Sequence, residues 1–300
     1  MDYKFKEGFY WGAAISALQC EGHHFEDGKC RTTWDEWYEK EPERFYDKID
    51  NSIAVDFYSM YKEDIRLAKE IGLNSFRFSL AWSRVILEDG TVNQKAIEHY
   101  GKVIDECIKQ GVEPFVCLFH FDMPLHMQNK GGWESREVLA EFTRYAKVCF
   151  EAYGDKVTKW FTHNEPYVPI EACYFHGFHY PFINDFKRGQ QATYFTSLSS
   201  AMAINEFKEM RARKEVREDA QIGAILSINP AMPKNENNEA DLDAAHKMNI
   251  LYNESLLGGM INGKMRSYHI ADKETVSVSW DMLPSRSYYS YDGDGDGQMY

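Results

Sequence analysis

The chain has 300 residues, 44% hydrophobic and 15% aromatic, enough apolar material for a sizeable core in one large domain or two ordinary ones. Its 34 basic and 47 acidic residues give a net charge of −13, which argues against nucleic acid or an anionic membrane surface as partner, because both select for basic patches. The opening MDYKFKEGFYWGAA lacks the apolar stretch of a secretory leader, and no apolar run approaches the ~20 residues of a membrane span.

In chain order, short apolar runs alternate with longer amphipathic ones. FYWGAAIS from Phe9 reads as a first strand. Ile53, Phe57, Met60, Tyr61, Ile65 and Ala68 recur at helical spacing, predicting a helix capped by Asn51 or Ser52 and ended by Gly72. SFRFSLAW from Ser75 is the next strand, and a helix over 93–110 follows with Ile97, Tyr100, Val103, Ile104 and Cys107 on one face. EPFVCLF, KWFTHN and QIGAILSI continue the strands, separated and followed by helices predicted over 135–153, 187–214 and 240–257. Cys20, Cys30, Cys107, Cys117, Cys149 and Cys173 are scattered without a C-x-x-C pair, several of them in apolar runs. They read as reduced structural thiols, with the cytoplasm the simplest location.

Five strand–helix units in succession, with no linker and no repeat, fit a βα barrel better than a doubly wound sheet. No G-x-G-x-x-G follows the first strand, which removes the usual dinucleotide reading. Gln19, Arg77, His120 and Glu165 fall at or just after strands, where a barrel would gather them on one face. Singly each has a plain reading: a loop-capping amide, a structural ion-pair partner, a satisfied core histidine, a salt-bridge carboxylate. Together they suit a sugar, since amides, imidazole and carboxylate bind hydroxyls and aromatic rings stack on pyranose faces.

FYWGAAISALQCEG, FRFSLAWSRV, FHFDMP, GGW at 131–133 and THNEP resemble, in order and spacing, the motifs of glycoside hydrolase family one, the β-glucosidase family. The resemblance covers about residues 5 to 260. It implies an α/β fold of the (β/α)8 TIM-barrel type and retaining hydrolysis of β-glycosides, without metal or cofactor. Glu165 is then the general acid and base; Asn164 binds the sugar 2-hydroxyl; Gln19 and His120 bind the other glycone hydroxyls. Arg77 lies beneath the site and pairs with the nucleophilic carboxylate. HFDMPLHM, with Phe121 where plain β-glucosidases more often carry tryptophan, and NEPYVPIEACYFHGFHYP look like the 6-phospho-β-glucosidase branch. The implied partner is a β-glucoside or its 6-phosphate. The branch's Ser, Lys and Tyr phosphate pocket near its C-terminus has no counterpart here.

The family's Thr-Glu-Asn-Gly nucleophile motif is also absent. TVSVSWDMLPSRSYY, over 275–289, sits where a sixth strand is due and matches poorly. The expectation is therefore a partial barrel domain over 1–274, lacking strands seven and eight with an atypical sixth, and a divergent segment over 275–300. The alternatives are a plain β-glucosidase, or an inactive truncated member that binds sugar weakly. Glu21, Asp122 and Asp281 lie near strand ends and read as structural or loop residues rather than substitute nucleophiles. Asp292, Asp294, Asp296 and Gly297 begin a calcium-loop pattern whose twelfth position falls past Tyr300, so the segment reads as an acidic flexible tail. His23-His24 and His176-x-x-His179 read as loop residues without a third metal ligand. An open sheet would expose a strand edge and promote self-association.

Overall fold

The strands pair in the order they leave the chain. In the computed structural model, β1 (Gly12–Ala14), β2 (Ser75–Ser79), β3 (Glu113–Phe119), β4 (Lys159–Asn164) and β5 (Gln221–Ile225) form one sheet in sequential order, and the registered pairs from β1 to β4 are parallel. A doubly wound sheet reverses its strand order partway; this one does not within the five strands, as expected for successive βα units of a barrel. The structure describes residues 4–254, Leu256, and two antiparallel residue pairs, Met265–Arg266 with Gln298–Met299. Asp281 and the Asp292–Asp296 pattern lie outside the described residues.

The long helices are α1 (Thr33–Lys40), α2 (Phe57–Glu70), α3 (Gln94–Gln110), α4 (Arg136–Tyr153), α5 (Phe186–Ala212) and α6 (Glu239–Asn249). In α3 the apolar stripe Ala96, Tyr100, Val103, Ile104 and Cys107 is buried, Asn93 caps the first turn, and Gly111 closes the helix in the left-handed region. The predicted start of α2 is wrong. Asp50 accepts a hydrogen bond from the Ser52 backbone, and Ala54 and Asp56 have φ of 49° and 56°, so the polar 50–52 cluster makes a turn and the helix begins at Phe57. Ile53, expected on the buried face, is 74% exposed outside the helix.

The chain divides into two compact units. One comprises Met1–Asn129, Thr143–Asn164 and Ala203–Ala224, and holds nearly all of the sheet. There the two-residue period of β2 turns Phe76 toward Phe57 of α2, with ring centroids 5.8 Å apart, and leaves Arg77 on the opposite face. Phe150 packs edge-on against both Trp160 and Phe207 at 5.1 and 5.2 Å. Burying each such ring contributes about 1.5–3 kcal/mol. β1 lies so close to β2 that a side chain at Gly12 would come within 2.8 Å of the Ser75 carbonyl oxygen, which explains a glycine there.

A buried polar anchor ties the chain after β1 to the chain after β2. Arg84, fully buried, reaches Glu21 Oε2 at 3.3 Å, donates to the carbonyls of Gly22, His23 and Glu26, and lies 4.3 Å from the Tyr58 ring centre. Tyr100 Oη donates to Glu21 Oε1 at 2.6 Å and accepts from Ala81 N. The second unit, Lys130–Phe142, Glu165–Met202 and Ile225–Tyr300, contains a smaller cluster in which Tyr167, Leu251 and Leu256 are buried against Phe175, Leu226 and Tyr252. Among the described residues no helix is long and apolar enough to cross a membrane.

Candidate active site

Asn164 ends β4, is almost fully buried, and accepts a 2.7 Å hydrogen bond at Oδ1 from Arg77 Nη1. A guanidinium has no acceptor, so the amide oxygen must face it and the amide NH2 is left as a donor. Arg77 lies in the middle of β2, inside the SFRFSLAW run, in register with Ala14 and Phe115, and its long side chain makes the reach.

His120 follows β3 and is buried. Burial, then the positive charge of Arg77, lowers its pKa to about 4, so the ring is neutral near pH 7 and can both donate to and accept from a hydroxyl. Its backbone N–H donates to Asp122 Oδ1 at 3.3 Å, and Phe121 between them has φ 75°, which turns the chain sharply at the strand end. Arg77, His120 and Asn164 thus share one electrostatic neighbourhood.

Gln19 lies in the four-residue helix Ala17–Cys20 and is exposed. Ser16 Oγ accepts from Gln19 N and donates to Gln19 Oε1 at 2.9 Å, while Ala17 N donates to Ser79 Oγ at the end of β2. The Ser16 contact was missed in the sequence, although a serine three residues before a glutamine is a capping spacing.

Glu165 belongs to the second unit and is half-buried, with φ 45°. That left-handed backbone is uncommon for glutamate and is held by a 2.7 Å bond from its N–H to the Ile225 carbonyl at the end of β5. The peptide chain places it directly after Asn164.

The remaining candidates have other employment. Glu21 is committed to Arg84 and Tyr100, and Asp122 to the His120 backbone, in line with structural roles. His23 lies between Glu26 and Asp56, His24 contacts Asp35, and His176 lies 3.5 Å from Glu171. Among the described residues no group of three or more His, Cys, Asp or Glu side chains could hold a metal ion.

The model of glycosyl hydrolase family 1 matches residues 1–280. A 6-phospho-beta-glucosidase of Bacillus subtilis is 46% identical over 263 residues, covering 87% of this chain and 55% of that protein. The psychrophilic beta-glucosidase of Micrococcus antarcticus superposes with a TM-score of 0.81 at 32% identity, over 87% of this chain and 54% of the other. A Thermotoga maritima beta-glucosidase solved with deoxynojirimycin gives 0.78 at 33%, over 85% and 56%. The chain spans about half the length of the relatives it matches. A family match over nearly the whole sequence, on a sheet whose strands pair in sequential order, makes this chain a member of glycosyl hydrolase family 1.

Proposed function

We propose that this chain carries the glycone site and the acid/base half of a retaining β-glycosidase, with 6-phospho-β-glucosides preferred over plain β-glucosides. The observation that carries the reading is the Arg77–Asn164 hydrogen bond at the end of β4, immediately before a glutamate held at positive φ. Asn164 then donates its NH2 to the 2-hydroxyl, a contact that strengthens as positive charge develops at the anomeric carbon. His120 and Gln19 bind other hydroxyls of the same ring. Glu165 protonates the departing glycosidic oxygen and later removes a proton from the attacking water.

The retaining route needs a second carboxylate about 5–5.5 Å from the acid, on the other face of the sugar. Glu21 and Asp122 are already engaged, and no Thr-Glu-Asn-Gly occurs in the sequence. Those facts favour a second reading for the chain on its own: sugar binding without turnover. Preference for the 6-phosphate is supported by Phe121 after His120 and by the 46% identity to a protein named as a 6-phospho-beta-glucosidase. Six scattered cysteines support a cytoplasmic location.

The test compares hydrolysis of an aryl β-glucoside with that of its 6-phosphate, using the natural chain and Glu165→Gln. Turnover that favours the phosphate and is lost in Glu165→Gln supports the full reading. Turnover indifferent to Glu165→Gln removes the acid assignment, and none with either substrate leaves the binding reading for the chain alone.

A further inference from the structure

Beside Asp122, two residues from His120, lies a cavity of about 10 Å3, room for about one water molecule. Its polar lining is His24, Lys29, Thr32, Asn51 and Asp122. Three of these are satisfied: His24 by Asp35, Thr32 Oγ1 by donation to Asp35 Oδ2, and Asn51 Nδ2 by donation to the Leu18 carbonyl. Two are not. Asp122 is 1% exposed, and its Oδ2 is buried with no hydrogen-bond partner, while Oδ1 is taken by the His120 N–H. Lys29 is half-buried, and among the described residues its ammonium is balanced by Asp35, Glu21 and Asp122 at longer range, not by a hydrogen bond. A buried carboxyl oxygen without a partner and an ammonium without a hydrogen bond therefore line one water-sized space, and leaving the buried oxygen unpaired is costly.

We propose that a single buried water bridges Lys29 Nζ to Asp122 Oδ2, and that Lys29 and Asp122 act through this bridge as positioning residues for His120. Asp122 holds the His120 backbone with one oxygen and is itself held through the other, across the sharp turn at Phe121. The charges around the pair fit the bridge. Burial, with Glu21 adding to it, outweighs the backbone hydrogen bonds and the attraction of Lys29 and leaves the Asp122 carboxyl raised to about 7. Burial likewise lowers Lys29, helped by Arg84 and opposed by Asp35, Glu21 and Asp122, while His24 is occupied by Asp35. A shared water gives Asp122 Oδ2 and the Lys29 ammonium a common hydrogen-bonding partner.

The inference rests on the assignment of His120 to the glycone, so its test separates the two. At atomic resolution, crystals of the natural chain should show one ordered water within hydrogen-bond distance of Lys29 Nζ and Asp122 Oδ2. A dry cavity or a direct Lys29–Asp122 ion pair would overturn the proposal. In nitrogen NMR of the histidine rings, Lys29→Met should move the His120 signals and leave those of His246 in place, with Lys29→Arg returning them toward the natural positions. Unmoved His120 signals in Lys29→Met would also overturn it. Affinity for the iminosugar deoxynojirimycin should fall ~10-fold in Lys29→Met and recover in Lys29→Arg. If the His120 signals move and affinity does not, the bridge stands and the glycone assignment falls.

Discussion

Arg77 decides which way Asn164 faces, and that single contact gives the site its chemical polarity. Replacing Arg77 with methionine keeps the bulk and releases the amide. Hydrogen bonds to charged groups are worth about 1.5–3 kcal/mol, so glycone affinity should fall roughly 10- to 100-fold, measured by calorimetric titration. Unchanged affinity would mean that Asn164 is oriented by something else. His23 offers a test of pH dependence. Burial pulls its pKa down, but the hydrogen bonds to Glu26 and Asp56 outweigh it, and the net shift is upward from 6.5. The protonated clamp therefore stabilises the fold fully below pH 6.5 and is lost as pH rises through the higher folded value. The gap in urea midpoint between the natural chain and His23→Gln should close across that rise; a gap constant with pH would show that the clamp does not titrate.

At the scale of elements, the buried Arg84–Glu21 pair joins the chain after β1 to the chain after β2. Arg84→Met strands Glu21 without a counter-charge and should cost about 3–5 kcal/mol in chemical unfolding. Adding Glu21→Leu should restore part of that loss; a double variant that loses as much as the sum of the two single changes would rule out direct coupling. Helix α3 is legible in the sequence because its apolar stripe, its Asn93 cap and its Gly111 stop all agree. The start of α2 is not, because Ile53 continues the helical spacing while Asp50 and Asp56 impose a turn that periodicity cannot register. The site divides the same way. Gln19, His120, Asn164 and Glu165 are candidates that strand ends and motifs can nominate, but the Arg77–Asn164 bond joins residues 87 positions apart and requires the fold. The pairing of Asp122 with Lys29 is likewise invisible in one dimension, since what matters is that the unpartnered Asp122 Oδ2 and Lys29 line the same small space.

For the whole molecule, the described sheet has open sides. Among the described residues β1 hydrogen-bonds to β2 alone, its three residues are exposed, and Phe5, Phe9 and Trp11 form an exposed aromatic cluster just ahead of it. An uncovered edge beside apolar rings is a template for further strand pairing. Light scattering of the 300-residue chain should therefore show concentration-dependent association, and a monodisperse monomer over the same range would contradict that. A glycone site at the end of β4, as proposed, would bind sugar whether or not the chain turns substrate over. Its most direct test is calorimetric titration of deoxynojirimycin into the natural chain and into Asn164→Ala. Saturable one-to-one binding that weakens at least ~10-fold in Asn164→Ala is expected; no saturable binding by the natural chain, or equal binding by both, would remove the glycone assignment.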